Sequence, residues 1–295
     1  MRKNPMKNKI NFAFFGTSHI AVYVLDALEA AGHLPALVIT APDAPRGRKL
    51  ELAPPATKTW ALARSIEVLQ PETVHSHILQ NMRMLGLDVG IVCDYGKILP
   101  KELLDIPKHG FLNVHPSLLP RLRGASPIRT AILHNENPTG VTVMQVDEKM
   151  DHGPIVAQKK IDVPHWPVKN SQLEKMLLTE GGKLLAQVLP HYIAGDIEAR
   201  EQNHDVATYC EKIEKEDGFL DLAADPYKNL LKIKAFEGWP STYTFFERSG
   251  KKLRVKIIDA HIEDGALVIN KVLPEGKREM NYEEFLRSST CPIKS

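Results

Sequence analysis

Cysteine is scarce in this chain: Cys93, Cys210 and Cys291 stand far apart, with no Cys-x-x-Cys pair. A disulfide framework and a cysteine-built zinc site therefore have no support, and no metal is expected. Long apolar runs are missing too. No stretch approaches the roughly 18 apolar residues that a membrane-spanning helix needs, so no membrane partner is expected. The basic start, Met1-Arg2-Lys3-Asn4-Pro5-Met6-Lys7, is followed by neither an apolar core nor a cleavage site, which argues against a secretory leader. A reducing cytoplasm is the expected setting. No Gly-x-Ser-x-Gly elbow occurs, which argues against an acyl-enzyme built on serine. Nor is there a Gly-x-Gly-x-x-Gly fingerprint, so Gly16 in Phe15-Gly16-Thr17 reads as plain turn geometry or as a turn beside a ligand. Charge is almost balanced: the formal net charge of +2 is compatible with an RNA substrate without demanding one.

What is present is an ordinary globular composition, 43% hydrophobic and 25% charged over 295 residues, enough for one large core or two domains. Residues 10–15 read as a first strand and 21–31 as a helix capped by Ser18 or Thr17. Further strands are expected at 34–40, 66–69, 89–93 and 111–115, with helices at 55–63 and 127–134 between several of them. Short apolar strands separated by helices predict an α/β, Rossmann-like domain with a parallel sheet covered on both faces. Ligands of such sheets sit beyond the carboxyl ends of the strands. A long helix is expected at 172–194, with Pro190 marking a kink or an early stop. Past it, 195–206 reads as a linker. Short strands at 241–246, 253–258 and 267–269, broken by Ser249-Gly250 and Asp264-Gly265, then predict a small β domain. The division is 1–194 catalytic domain, 195–206 linker, and 207–295 C-terminal β domain.

The chemistry concentrates between Phe111 and Asp151. The strand Phe111-Leu-Asn113-Val-His115 ends at Pro116, and alternation places Asn113 and His115 on the same side, one pleat apart. A neutral amide can donate to an oxyanion, and a neutral imidazole can take and return a proton near pH 7. Asp151, in Met150-Asp151-His152-Gly153-Pro154, follows a second strand-like run at 139–146, where it can orient the histidine or hold a water. No covalent carrier stands in the motif apart from Ser117. The set therefore favours direct attack by a substrate amine or a water on a bound acyl donor. Taken singly, a strand-end His, an Asn before it and an Asp-x-Gly are commonly satisfied polar residues and turn formers. All three together, around Ser117-Leu118-Leu119-Pro120 and Arg121-Leu122-Arg123-Gly124, point to a site.

These stretches, with Ala125-Ser126-Pro127-Ile128, Thr139-Gly140-Val141-Thr142 and Ala235-Phe236-x-x-Trp239-Pro240, resemble the folate-dependent formyltransferases over nearly the whole chain. Within that family the likeness is to the branch that acts on methionyl initiator tRNA. The resemblance implies 10-formyltetrahydrofolate as cosubstrate, Asn113, His115 and Asp151 as catalytic residues, and folate contacts from Ser117, Leu118, Leu119 and Pro120. It also implies that the C-terminal β domain is an open, OB-like β-barrel, shortened because the chain ends sooner than many relatives.

Two basic features bear on the acceptor. Pro42-Asp43-Ala44-Pro45-Arg46-Gly47-Arg48-Lys49 is a bent loop carrying three cations in four residues, suited to a phosphate or an RNA end. Without the family context it reads more readily as a solvated surface loop. With it, Arg46, Arg48 and Lys49 resemble a tRNA acceptor-stem loop, although Ala44 stands where many relatives carry Arg or Lys. The second feature is Lys252, Arg254 and Lys256, which alternation puts on one strand face; an ordinary amphipathic strand looks the same. Two more departures are Leu122, where an aromatic is usual, and Asp94, where a small residue is usual. The expected enzyme is a monomer formylating initiator methionyl-tRNA. The rivals are a sugar-amine formyltransferase acting on an amino-sugar nucleotide, a 10-formyltetrahydrofolate hydrolase, and a non-catalytic RNA-binding module.

Overall fold

The computed structural model describes residues 10–47, 51–73, 76–248, 250–287 and 291–292. The chain opens with strand β1 (Phe12–Phe15), helix α1 (His19–Ala30) and strand β2 (Leu37–Ile39). A hairpin of β3 (Ala44–Arg46) and β4 (Glu51–Ala53) leads to α2 (Ala56–Leu62), β5 (Glu67–Leu69) and α3 (Ser76–Met84). Strands β6 (Val89–Val92) and β7 (Phe111–His115) follow, with α4 (Lys101–Leu104) between them. Next come β8 (Arg123–Gly124), α5 (Pro127–Leu133), β9 (Thr139–Gln145), β10 (Ile155–Ile161) and α6 (Asn170–Ala194). The last part holds β11 (Tyr209–Cys210), α7 (Pro226–Ala235), β12 (Thr242–Arg248), β13 (Lys251–Glu263) and β14 (Ala266–Pro274). It closes with β15 (Met280–Asn281), α8 (Tyr282–Leu286) and β16 (Cys291–Pro292).

Two compact units emerge. The first comprises residues 1–123, 140–161 and 174–208; the second comprises 124–139, 162–173 and 209–295. In the first unit seven strands form one sheet in the order β10-β9-β7-β6-β1-β2-β5. The stretch from β7 through β6, β1 and β2 to β5 is parallel, as expected. All four residues of β1 are fully buried, the pattern of a strand covered on both faces. Strand β9 departs from the expectation: it runs antiparallel to β7, with His115 opposite Thr142 and Asn113 opposite Met144. Its apolar run has the same composition either way, because burial on both faces erases the alternation that would betray direction. Helix α1 starts at the Ser18 cap, whose hydroxyl accepts from the Ile20 amide at 3.3 Å. Pro190 does not stop α6, which continues to Ala194. Gly195 then ends it, with φ of 78° and a bond from the Asp196 amide to the His191 carbonyl at 2.9 Å.

The second unit is built on an antiparallel sheet in the order β15-β14-β13-β12-β16. Phe246, Val255, Ile257, Ala260, Val272 and Phe285 form its core, with Leu220 and Ile233. Strand β13 is longer than the sequence suggested, because register shifts around Asp259 bend it across that core. Among the described residues the order is linear, and its end strands have two residues each; an antiparallel sheet is present and no closed barrel forms.

The parallel sheet tolerates no extra atom at Gly90 of β6. A Cβ there would lie 2.2 Å from the Phe111 ring, which is itself buried in the core. Gly90→Ala is expected to destabilise the protein by about 1–3 kcal/mol, the usual cost of overpacking. Denaturant unfolding of the variant measures it.

Candidate active site

The pleat of β7 brings Asn113 and His115 to the same side, and the loop after β9 brings Asp151 to both. One carboxylate oxygen, Oδ1 of Asp151, lies 3.4 Å from Nδ2 of Asn113 and 3.6 Å from Nδ1 of His115. Both separations exceed a closed hydrogen bond, as is common before a substrate is bound. The imidazole is almost wholly buried, its side chain 5% exposed against 15% for Asp151. Its Nε2 lies 2.9 Å from the Leu122 carbonyl oxygen. A carbonyl only accepts, so Nε2 carries the hydrogen of the neutral ring, and Nδ1 is left as the basic atom facing the carboxylate.

The turn after β7 is held by its own bonds. The Ser117 amide donates to the His115 carbonyl at 2.9 Å, and the Ser117 hydroxyl to the Arg121 carbonyl at 2.6 Å. Thr142 binds both sides of it, donating to the Ser117 carbonyl at 2.7 Å and accepting from the Leu119 amide at 3.2 Å. Gln158 donates to the Leu119 carbonyl at 2.7 Å, and the Thr208 amide to the Pro120 carbonyl at 3.2 Å. Ser117 and Leu119 are buried while Leu118 and Pro120 are half-buried. The turn is thus a rigid shoulder whose free surface is largely apolar.

Asp151 sits at φ of 49°, a left-handed backbone that few non-glycine residues adopt. Two residues on, Gly153 approaches the end of β9 so closely that an added Cβ would meet the Gln145 carbonyl oxygen. That approach makes glycine necessary and fixes how the loop returns. A cavity of about 510 Å³, lined by Gln145 to Lys149, His152, Gly110 and Phe111, opens at the Phe111 end of β7, away from the Asn113, His115 and Asp151 side chains. Tyr192 closes one side, donating to the His109 carbonyl and accepting from Gln145, each at 2.9 Å. Motif reading missed this wall, because its residues are dispersed in sequence and meet only when β9 is laid beside β7.

Strand β6 supplies the other border. Val92 pairs with Asn113, so Asp94, two residues on, leaves β6 at the level where His115 ends β7. The Asp94 backbone is also left-handed, at φ of 50°. The residue is exposed as a whole, and its carboxyl lies near Ser18 and His19. Desolvation of that carboxyl raises its pKa above the usual aspartate range, against the opposing pull of nearby Ser18 and His19. Neighbouring Cys93 is buried, and burial pushes its thiol well above the ordinary range, which disqualifies it as a nucleophile. At Gly16 the turn amides are spent inside the protein: Gly16 donates to Ile39 and Thr17 to Asp94, each at 3.1 Å.

Of the three cations near the first hairpin, Arg46 is the last residue of β3, paired with Glu51, while Arg48 and Lys49 lie outside the described residues. In the second unit Lys252, Arg254 and Lys256 do share a face of β13, and aromatic residues of β12 accompany them. Arg254 lies 3.7 Å over the Tyr243 ring and Lys252 3.9 Å over the Phe245 ring, while Phe219 packs edgewise on Tyr243. The aromatic half of this face was legible as Tyr243-x-Phe245, the same alternation that exposed the cations. Among the described residues no His, Cys, Asp and Glu group could hold a metal ion, and no helix is long and apolar enough to cross a membrane.

The chain is similar to known proteins over most of its length. A model of the formyl transferase family matches residues 8–189. The methionyl-tRNA formyltransferase of Chloroflexus aggregans is 44% identical over 243 residues, covering 82% of this chain and 78% of that protein. The Bacillus subtilis protein of the same name is 34% identical over 298 residues, 94% of each chain. Among solved structures, methionyl-tRNA formyltransferase from Clostridium thermocellum aligns with a TM-score of 0.58 at 15% identity, covering 90% of this chain and 98% of that one. An N-formyltransferase from Helicobacter canadensis in complex with folinic acid and dTDP-3-aminofucose gives 0.63 at 19% identity, covering 86% and 88%. At such identities the structural likeness concerns the fold alone.

The Asp94 carboxyl makes a signed prediction. Because its pKa is raised in the folded protein, ionisation favours the unfolded chain, and this penalty grows as pH rises from the unfolded carboxylate range through the folded value. Asp94→Asn removes it. Thermal unfolding is expected to show the variant more stable than the parent at pH 7–8, with the gain gone below about pH 3.9, the ordinary aspartate value.

Proposed function

Because the chain belongs to the formyl transferase family, we propose that it transfers the formyl group of 10-formyltetrahydrofolate to the α-amino group of methionyl initiator tRNA. The observation that carries this reading is the shared Asp151 oxygen facing both Asn113 and His115, with the basic His115 Nδ1 turned toward it. The neutral amine attacks the formyl carbon, forming the new C–N bond and placing the electron pair on oxygen. Asn113 Nδ2 donates to that oxyanion, an interaction of the kind worth about 2.7–4 kcal/mol. His115 takes the proton lost by the amine and returns one to the folate nitrogen as its bond to carbon breaks; such proton transfer contributes about 10²–10⁴ in rate. Asp151 orients the imidazole and balances its transient charge. Formyl-methionyl-tRNA and tetrahydrofolate leave, with no covalent enzyme intermediate.

The donor is assigned to the surface beside Asn113 and His115, with Ser117, Leu118, Leu119 and Pro120 as its apolar shoulder. The acceptor's phosphates are assigned to Arg46, Arg48 and Lys49. The second unit is read as an incomplete OB-like barrel, supported by its antiparallel sheet and bent β13. Its face of Tyr243, Phe245, Lys252, Arg254 and Lys256 combines ring surfaces with positive charge, as single-stranded nucleic acid requires. The enzyme is taken as a cytoplasmic monomer.

Purified protein offered the folate donor with charged initiator tRNA, with an amino-sugar nucleotide, or with buffer alone tests the acceptor. Formylation confined to the tRNA is expected; formate release in buffer would reveal a hydrolase, and a formylated sugar the other rival. Asn113→Ala is expected to lower turnover about 10²–10³-fold while donor binding stays nearly intact. Full turnover in that variant sinks the oxyanion role. Arg254→Glu is expected to raise the KM for tRNA and flatten its log–log salt dependence by about one unit for each phosphate no longer neutralised, with the donor KM unchanged.

A further inference from the structure

We propose that Gln202 is a positioning residue for Asp151, and that residues 200–208, of which 200–206 read as linker in the sequence, are the brace of the catalytic loop. The proposal rests on Asp151 being a member of the catalytic trio. Gln202 is 4% exposed and its amide is fully committed. Nε2 donates to the Asp151 carbonyl at 2.9 Å and the Gly153 carbonyl at 2.7 Å. Oε1 accepts from Nε and Nη2 of Arg123 at 3.1 and 2.7 Å. Only one orientation works: a flipped amide would set its NH₂ against the guanidinium and its oxygen against two carbonyls.

The same segment reaches the other half of the site. The Thr208 hydroxyl accepts from the Leu122 amide at 2.9 Å, and the Thr208 carbonyl from the Arg123 amide at 2.9 Å. Leu122, left-handed at φ of 56°, presents the carbonyl that receives His115 Nε2. Gln202 thus holds the backbone of Asp151, and Thr208 holds the residue that orients His115. Arg200 pins the start of the segment, exchanging both backbone bonds with Ile155 at 2.7 and 2.8 Å. A third tie runs through His204, whose Nδ1 accepts from Arg123 Nη2 at 2.9 Å and whose ring stacks on His152 at 4.0 Å. The carboxylate of Asp151 meets Asn113 and His115 at 3.4 and 3.6 Å, and the brace holds the backbone that carries it.

Gln202→Glu separates positioning from folding. Glutamate keeps an acceptor for buried Arg123 but donates nothing, and it turns a negative oxygen on the Asp151 and Gly153 carbonyls. The expected result is a folded protein with a lowered melting temperature, KM values for donor and tRNA within about twofold, and kcat down about 10- to 100-fold, the usual effect of a displacement near 1 Å. Combined with Asp151→Asn, the same substitution is expected to cost less than about twofold more, because Gln202 acts through Asp151. Gln202→Asn, which keeps both donor and acceptor on a shorter stem, should recover part of the turnover, and it carries the same comparison where the glutamate variant does not fold. An unchanged kcat, or an equal loss with and without Asp151→Asn, overturns the brace. Full turnover of Asp151→Asn alone overturns the catalytic reading, and the brace with it.

Discussion

The hydrogen bond from His115 Nε2 to the Leu122 carbonyl decides how the rest of the site can work. It assigns the hydrogen to one ring nitrogen and leaves the other, Nδ1, to face Asp151. The Asp151 carboxylate does not make that assignment, since it stands 3.6 Å from Nδ1. Leu122 offers that carbonyl from a left-handed backbone, and the Thr208 hydroxyl accepts from its amide. A catalytic proton site in β7 therefore depends on a turn seven residues later and on a segment more than eighty residues later.

Such placement is costly. Leu122, Asp94 and Asp151 all carry positive φ, and each such residue typically stores about 1–3 kcal/mol. The three flank the same strand ends. Buried Arg123 is a further liability, offset by its bonds to Gln202 and His204. Each hydrogen bond adds only about 0.5–1.5 kcal/mol, whereas a partner stripped away leaves a buried donor costing about 1–3 kcal/mol. Polar networks of this kind specify one arrangement more than they add stability. Around β7 the parallel strands supply the stability, with β1 fully buried and Gly90 letting Phe111 lie flat against β6.

Much of the first unit was legible because its signals are local. Residues 111–115 form a strand with the expected bounds, and its alternation puts Asn113 and His115 on one side. Ser18 caps α1, a choice made by one hydroxyl and one amide. Less was legible where the outcome rests on distant partners. The direction of β9 depends on which strand edge it meets, and a run buried on both faces carries no mark of direction. Pro190 removes one donor near the end of α6, too little to stop a helix that is otherwise packed. In the second unit the hairpins were marked by Ser249-Gly250 and Asp264-Gly265, while closure of a barrel is a property of end strands that local pattern does not encode.

By itself the sequence determined the chemical vocabulary: an amide, an imidazole and a carboxylate, with an alternating strand to carry the first two. Their types, and the pairing of cations on β13, follow from composition and from a period of two residues. The tertiary structure alone decided which imidazole nitrogen is basic, where Asp151 returns, and that the polar stretch after α6 is bonded to it. Those are meetings of residues tens of positions apart, each set by a carbonyl or amide whose direction depends on the fold. Periodicity reports a side chain's face; only packing reports which backbone group it will meet.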